Sequence, residues 1–257
     1  MKNLKLGCIK DPLDSRDYLM RAYLPLVKIP MRMDYFPRMS PVRDQGDEGT
    51  CVGFASACGM KEYQEQLDYG KLLILSPRYV YSECKKIDEM PDAEGTSVRI
   101  AMKVLKNKGV CLESYWPYNP HQNDKPKKGA SQNAKRFCEL SYARILDLNE
   151  LRLSLATKGP CVVGIQAFAG IMKTKTGRVP MPQKGESSIG GHAVCAIGYD
   201  DQKKCVKFKN SWSTHWGEEG YGYLSYAYIE KYMMDAWSSV DIEDPNPLTI
   251  GKMTRSI

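Results

Sequence analysis

Residues 41–55 read PVRDQGDEGTCVGFA. An acidic turn flanked by Gly46 and Gly49 gives way at Cys51 to a helical pattern. Val52, Phe54, Ala55, Cys58, Gly59, Tyr63 and Leu67 fall mostly on one face of a helix running from Cys51 to Tyr69. A thiol at a helix N-terminus meets the positive end of the macrodipole, which favours thiolate over thiol. The unpaired amides there can also hold a developing oxyanion. Gln45, on the tight Gly turn before the helix, can fold back so that its side-chain amide adds a second donor. Read alone, the stretch leaves a plainer alternative open, with Gln45 as a turn residue and Cys51 as a buried helix residue.

Working outward, the first half of the chain is mainly helical. Ser76-Pro77 opens a second helix, with Pro in its first turn. Thr96 or Ser97 caps a third, with Val98, Ala101, Met102, Val104 and Leu105 on its apolar side and Gly109 at its end. Residues 116–130 carry Pro117, Pro120, Asn123, Pro126 and Gly129 and read as a loop. The second half is mostly strand: Tyr142–Leu146, Cys161–Ala167, His192–Tyr199, Cys205–Asn210, Gly220–Ser225 and Asp235–Asp241, with a short helix over Asn149–Thr157. Helices followed by strands argue an α+β fold of two lobes rather than alternating βαβ units. The division expected is an N-terminal arm over 1–40, a mainly helical lobe over 41–140 and a mainly β lobe over 141–257.

Composition excludes several classes. The chain has 257 residues, 42% hydrophobic and 26% charged, which is ordinary for a globular protein and wrong for disorder or collagen. No apolar stretch approaches the ~18 residues of a membrane span. The net charge of +7 is mild and dispersed, with Lys125, Lys127 and Lys128 in one cluster and Lys203, Lys204, Lys207 and Lys209 in another. No helix gathers this charge with stacking aromatics, so no nucleic-acid partner is expected. The first thirty residues lack an apolar core and do not read as a secretory signal. Nine cysteines, none in a CxxC pair, read as reduced thiols, with no metal site and no cofactor. The expected location is therefore the cytoplasm or another reducing compartment, with packaging in a particle or non-classical export also open.

A nucleophilic cysteine needs a base, and only His121, His192 and His215 are present. His121 lies in the Pro-rich loop and His215 in a Trp-flanked turn. His192 follows Gly190-Gly191, whose missing side chains allow close approach of another backbone, and it opens the strand AVCAIGYD. Eighteen residues on, the strand CVKFKN ends at Asn210. Its side-chain oxygen can accept the imidazole N–H and fix the tautomer, while Trp212 can shield that bond from water. The plainer reading makes Asn210 a turn residue and the tryptophans packing.

Four segments, PVRDQG…GTCVGFA, GVCLESYWPY, GGHAVCAIGYD and KNSWSTHWGEEGYGYLSY, together resemble the papain-like cysteine peptidases. The order Gln, Cys, His, Asn agrees. His192 and Asn210 follow Cys51 by 141 and 159 residues, the second slightly beyond the family interval of ~130–150. The resemblance implies a papain-like two-lobed fold, a helical left lobe and a β-barrel-like right lobe, with the active site at the junction. It implies Cys51 as nucleophile, His192 as base, Asn210 as orienter, Gln45 as oxyanion donor and Trp212 as the shield. It places Gly95, in AEGTS, and Gly191 against the backbone of a bound peptide. The implied activity is hydrolysis of peptide or protein substrates through a thioester, without cofactor or metal. An acyltransferase on the same scaffold and a catalytically silent binding scaffold are the alternatives.

There are departures. Glu48 stands where the family signature has its first Cys, Thr50 at the small residue and Val52 at the aromatic, so the disulfide that ties that loop is not expected. The opening LGCIKDPLDSRDYL is similar to the short leader of microbial and viral members. Pro12, Pro25, Pro30 and Pro37 favour an extended path. Part of residues 8–30 is therefore expected in or beside the substrate cleft, restraining activity; the alternative is a belt across the back of the lobes.

Overall fold

The computed structural model describes residues 4–90, 92–121 and 124–239. Helix α1 (Cys51–Phe54) begins after Thr50 and continues without a break through a π-helical run, Ala55–Lys61, into α2 (Glu62–Tyr69). Gly70, left-handed at φ 65, closes it. The π-helical run was not foreseen from the 3.6-residue apolar spacing. Every residue in it is buried, and its side chains include Ala55, Ala57, Cys58 and Gly59, so small groups rather than a one-sided stripe face the packing. Helix α3 (Pro77–Lys85) has Pro77 at its first position, and the Ser76 hydroxyl caps it by accepting from Tyr79 N. Helix α4 (Val98–Asn107) is capped by Ser97 rather than Thr96, and Gly109 at φ 74 follows it.

The second half forms one antiparallel sheet. Strands β4 (Tyr142–Ile145), β5 (Cys161–Ala167), β6 (Gly190–Asp200), β7 (Cys205–Lys209), β8 (Tyr221–Ser225) and β9 (Met233–Ser239) run in the order β4-β9-β5-β6-β7-β8. The last strand starts before the expected Asp235, and Val240 and Asp241 lie outside the described residues. Helix α6 (Leu148–Thr157) is capped by Asp147. Three short helices escaped the sequence reading: α5 (Ala130–Ala134), α7 (Ala169–Lys173) and α8 (Tyr226–Tyr232). The first two span five residues each, too short to display a helical period.

Strands β5 and β6 are covered on both faces, which explains their near-continuous apolar runs. Val163, Ile165, Val194 and Ala196 enter the core of the β lobe, with Phe208, Trp212 and Tyr228. Val162, Ala193, Cys195 and Ile197 point the other way, onto Cys51, Val52, Ala55 and Cys58 of the helical lobe. The two lobes thus share β6 as a common wall. Gly59 makes the contact possible: a Cβ there would lie 2.3 Å from Cys195 Cβ and 2.7 Å from its sulfur.

The first forty residues do not stand apart as an extended arm. β1 (Cys8–Ile9) pairs in parallel with β3 (Thr96–Ser97) on the helical lobe. Met20 is fully buried in the β-lobe core. β2 (Arg32–Asp34) pairs antiparallel with Asp200–Gly198 at the far end of β6, where the long strand extends beyond its partner β5. The segment has no apolar periodicity because it is held by backbone pairing and by scattered buried side chains, Cys8, Asp11 and Met20 among them, rather than by a face.

Gly59→Ala is expected to lower unfolding free energy by about 1–3 kcal/mol, the usual cost of overpacking, read from the denaturant midpoint. A variant as stable as the parent would show that the helix–sheet spacing is set elsewhere.

Candidate active site

Cys51 is placed by the first turn of α1, His192 by the third residue of β6, and Asn210 by the position just past β7. All three are buried, Cys51 and His192 completely. His192 Nε2 lies 2.8 Å from Asn210 Oδ1, which also accepts the Ser211 amide at 2.9 Å. A carbonyl oxygen can only accept, so Nε2 carries the proton and Nδ1 holds the lone pair. Nδ1 has no hydrogen-bond partner among the described residues. The amide of Ala193, next to His192, donates to Cys51 Sγ at 3.4 Å. Trp212 stacks on the imidazole itself, with centroids 4.2 Å apart and planes at 21°, so it covers the ring and the Asn210 bond together.

Asn210 is anchored through its neighbours. Its amide donates to Gly220 O. Lys209 is buried behind it and donates to Ser40 Oγ at 2.7 Å and Cys58 O at 2.8 Å. Glu62, buried alongside, bonds Ser40 Oγ and accepts the Leu75 amide at 2.8 Å. Lys209 therefore ties the end of β7 to the helix that begins at Cys51.

Gln45 is held on every side. Its Oε1 accepts from Ser211 Oγ at 2.6 Å, its amide donates to Ser211 O, and its carbonyl accepts Tyr118 OH at 2.7 Å. Its Nε2 donates to Glu48 O at 2.9 Å and to a second carbonyl, Lys5 O, at 3.2 Å. The turn is tied down where the resemblance left a disulfide out. Glu48 takes a two-pronged ion pair from Arg78, Nη1 at 2.7 Å and Nη2 beside it, and accepts the His121 amide at 3.1 Å. Burial works against the Glu48 carboxylate, but the Arg78 and His121 donors outweigh it and hold its pKa below the usual value. Sequence reading noted Glu48 but not its partner. Arg78, Ser211 and Tyr118 were missed, although a buried acid in place of a cysteine signals a basic neighbour.

The arm occupies the space over this centre. Gly7 N donates to Gly191 O at 3.1 Å, and Thr96 N donates to Gly7 O at 2.9 Å. Three glycines make the approach sterically possible. A Cβ on Gly7 would lie 2.0 Å from Gly49 O, one on Gly95 2.4 Å from Gly7 O, and one on Gly191 2.0 Å from Cys8 O. The cleft segment is thus Lys5–Ile9, upstream of most of the expected 8–30, while Met20 and β2 lie against the β lobe. Glycine signals this position: LGC places the residue without a side chain where backbones meet.

Burial dominates the site's electrostatics. It pushes the Cys51 thiol up to about 11, against backbone donors from Ala193, Gly7, Val52 and its own amide. It pushes His192 down to about 4, the Asn210 bond opposing. Burial thus favours the neutral thiol and the neutral imidazole over the ion pair that a helix N-terminus alone favours.

A family model described as papain family cysteine protease matches residues 29–240. An uncharacterized peptidase C1-like protein of Acanthamoeba polyphaga mimivirus is 32% identical over 79% of this chain and 70% of its own length. Mouse cathepsin K is 31% identical over 77% of this chain, which spans only 60% of cathepsin K. Among solved structures, xylellain, a cysteine protease from Xylella fastidiosa, superposes with a TM-score of 0.83 at 28% identity, covering 94% of this chain and 98% of xylellain.

A buried neutral histidine carries a signature in acid. Unfolding returns His192 from about 4 to its ordinary 6.5, so the unfolded chain binds the extra proton between those values. Its contribution to stability is complete above pH 6.5 and lost as pH falls toward 4, by about 3 kcal/mol. His192→Gln is expected to remove that part of the acid sensitivity, read from denaturant midpoints at pH 4 and 7. Parallel pH profiles in the two chains would contradict the burial of a neutral imidazole.

Proposed function

The chain belongs to the papain family of cysteine proteases, and we propose that it hydrolyses peptide bonds through Cys51, His192 and Asn210, with its own N-terminal segment restraining access. The single observation that carries the reading is the His192 Nε2–Asn210 Oδ1 bond beneath Trp212, which leaves Nδ1 as a base beside the Cys51 segment.

Once a peptide replaces the arm, Cys51 gives its proton to His192 Nδ1 and its sulfur attacks the substrate carbonyl carbon. The carbonyl electron pair moves onto oxygen, which the Gln45 Nε2 and the Cys51 amide hold. His192 returns the proton to the leaving amine as the C–N bond breaks, and the thioester remains. A water molecule, deprotonated by His192, adds to the thioester and expels the thiol. Asn210 and Trp212 act on the imidazole, keeping it in one tautomer and orientation. That Gln45 already donates to a peptide carbonyl, Lys5 O, supports its role. The pairing of Gly7 with Thr96 and Gly191 supports Gly95 and Gly191 as the backbone rails for a peptide. Nine free thiols support a reducing compartment.

Restraint by the arm follows from occupancy: the segment that holds Lys5 O on Gln45 leaves a substrate carbonyl no place there. Gly7→Ala strikes the backbone of Gly49 and unseats the segment without touching the triad. Turnover of a small peptide ester or amide is expected to rise about tenfold or more in kcat/KM, and adding Cys51→Ala is expected to abolish it. Unchanged kcat/KM with a lowered Tm would make the arm a belt, and turnover surviving Cys51→Ala would overturn the nucleophile.

A further inference from the structure

Beyond the cleft segment the arm meets a group of buried charges that the chemistry above does not use. Arg99 lies two residues past β3, where the arm pairs, and Asp11 two residues past β1, so the group follows directly on the paired cleft segment. Asp11 Oδ2 accepts the Arg99 amide at 3.1 Å and Trp237 Nε1 at 3.1 Å. Asp17 Oδ2 accepts from both Arg99 Nη2 and Arg144 Nη1, the latter at 3.2 Å. Arg144 Nη2 also bonds Asp235 Oδ1, and Asp235 Oδ2 accepts the Asp11 amide at 2.8 Å. The two guanidinium carbons sit 5.5 and 5.6 Å from the Trp237 ring centroid. Arg99, Arg144 and Asp235 are 6%, 5% and 2% exposed, and Arg99 Nε has no hydrogen-bond partner among the described residues.

The charge count decides what this group recognises. With the arm present, the two guanidinium groups pair with the carboxylates of Asp17 and Asp235, while the Asp11 carboxylate takes the Arg99 amide and the Trp237 N–H. Remove the arm and the two arginines keep Asp235 alone, with the Arg99 amide and the Trp237 N–H also unpaired. A buried guanidinium without its acid is costly, and carboxylate acceptors restore it best.

We infer that Arg99, Arg144 and Trp237 form an acid-recognising subsite of the cleft, and that the molecules which displace the arm are peptides carrying acidic side chains spaced as Asp11 and Asp17 are. This rests on the proposed peptidase reading and names its substrate class. Asp11 and Asp17 hold the arm by imitating such a peptide, so the same subsite serves restraint and selection.

The probe is a labelled synthetic peptide of residues 10–18, which lacks the cleft segment, compared with the same peptide carrying Asp11→Asn and Asp17→Asn. The protein is the full chain with Gly7→Ala, Asp11→Asn, Asp17→Asn and Cys51→Ala, so that its own arm is unseated at the cleft, carries no competing carboxylate at these positions, and nothing is cleaved. Burial raises Asp235 to about 6, so the titration is run at pH 8. Fluorescence anisotropy is expected to show the acidic peptide binding about tenfold or more tightly than its amide counterpart, and Arg144→Gln is expected to erase the difference. Equal binding of the two peptides, or binding of neither, overturns the subsite. In the unmodified chain, excess acidic peptide is expected to accelerate alkylation of Cys51 by lifting the arm, and the amide peptide is not; equal effects of the two contradict the proposal without any variant that must fold. A chain that discriminates the peptides yet turns over no substrate keeps the subsite and defeats the peptidase reading.

Discussion

Gly59 has no side chain, and Cys195 fills the place where one would be. That contact sets how closely the helix beginning at Cys51 lies on β6, which carries His192. The chemistry requires thiol and imidazole to meet from two separately built lobes, and a shared wall allows this without a covalent link. Lys209 fastens the same helix to the end of β7 through Cys58 O and Ser40, so Asn210 is brought into the same frame. The Glu48–Arg78 ion pair then fixes the turn that presents Gln45. A buried pair of this kind adds little net stability against an apolar pair, but its two-pronged geometry defines where the turn sits.

Burial sets the state of this centre. Desolvation disfavours both charged partners, raising the thiol and lowering the imidazole. On the proposed reading, water and a substrate carbonyl reach the site when Lys5–Ile9 leave, and departure of Asp17 with the arm leaves Arg99 without its carboxylate and Arg144 with Asp235 alone. On that reading, restraint and charge pairing are one equilibrium. Anything that binds the vacated groups shifts it in proportion to its preference for the open state.

Much of the architecture was legible because its elements carry their own punctuation. Ser76-Pro77, Ser97 and Gly109 mark helix ends, and Cys161–Ala167 declares a strand buried on both faces. The grouping of Gln45, Cys51, His192 and Asn210 was legible through the resemblance to the papain-like peptidases, since residue types alone left the plainer readings of each open. What escaped was held by tertiary contact alone. β1 and β2 are short and paired by backbone, Arg78 is distant in sequence from the Glu48 it neutralises, and the π-helical run has no apolar stripe to show. The resting protonation state escaped for the same reason: a helix N-terminus argues for thiolate, and only the covering segment reveals that burial outweighs it.

The central claim is that a competent centre lies sealed beneath Lys5–Ile9. The most direct measurement is the pH dependence of carboxamidomethylation at Cys51, located by mass spectrometry, in the parent chain and in a chain whose arm has been unseated. The account predicts that the parent's Cys51 resists modification at neutral pH and gains reactivity only in strong alkali, in keeping with a thiol near 11. With the arm unseated, the same thiol is predicted to react readily at neutral pH as imidazole and solvent regain access to it. Equal rates with one common pH profile in the two chains would contradict the account.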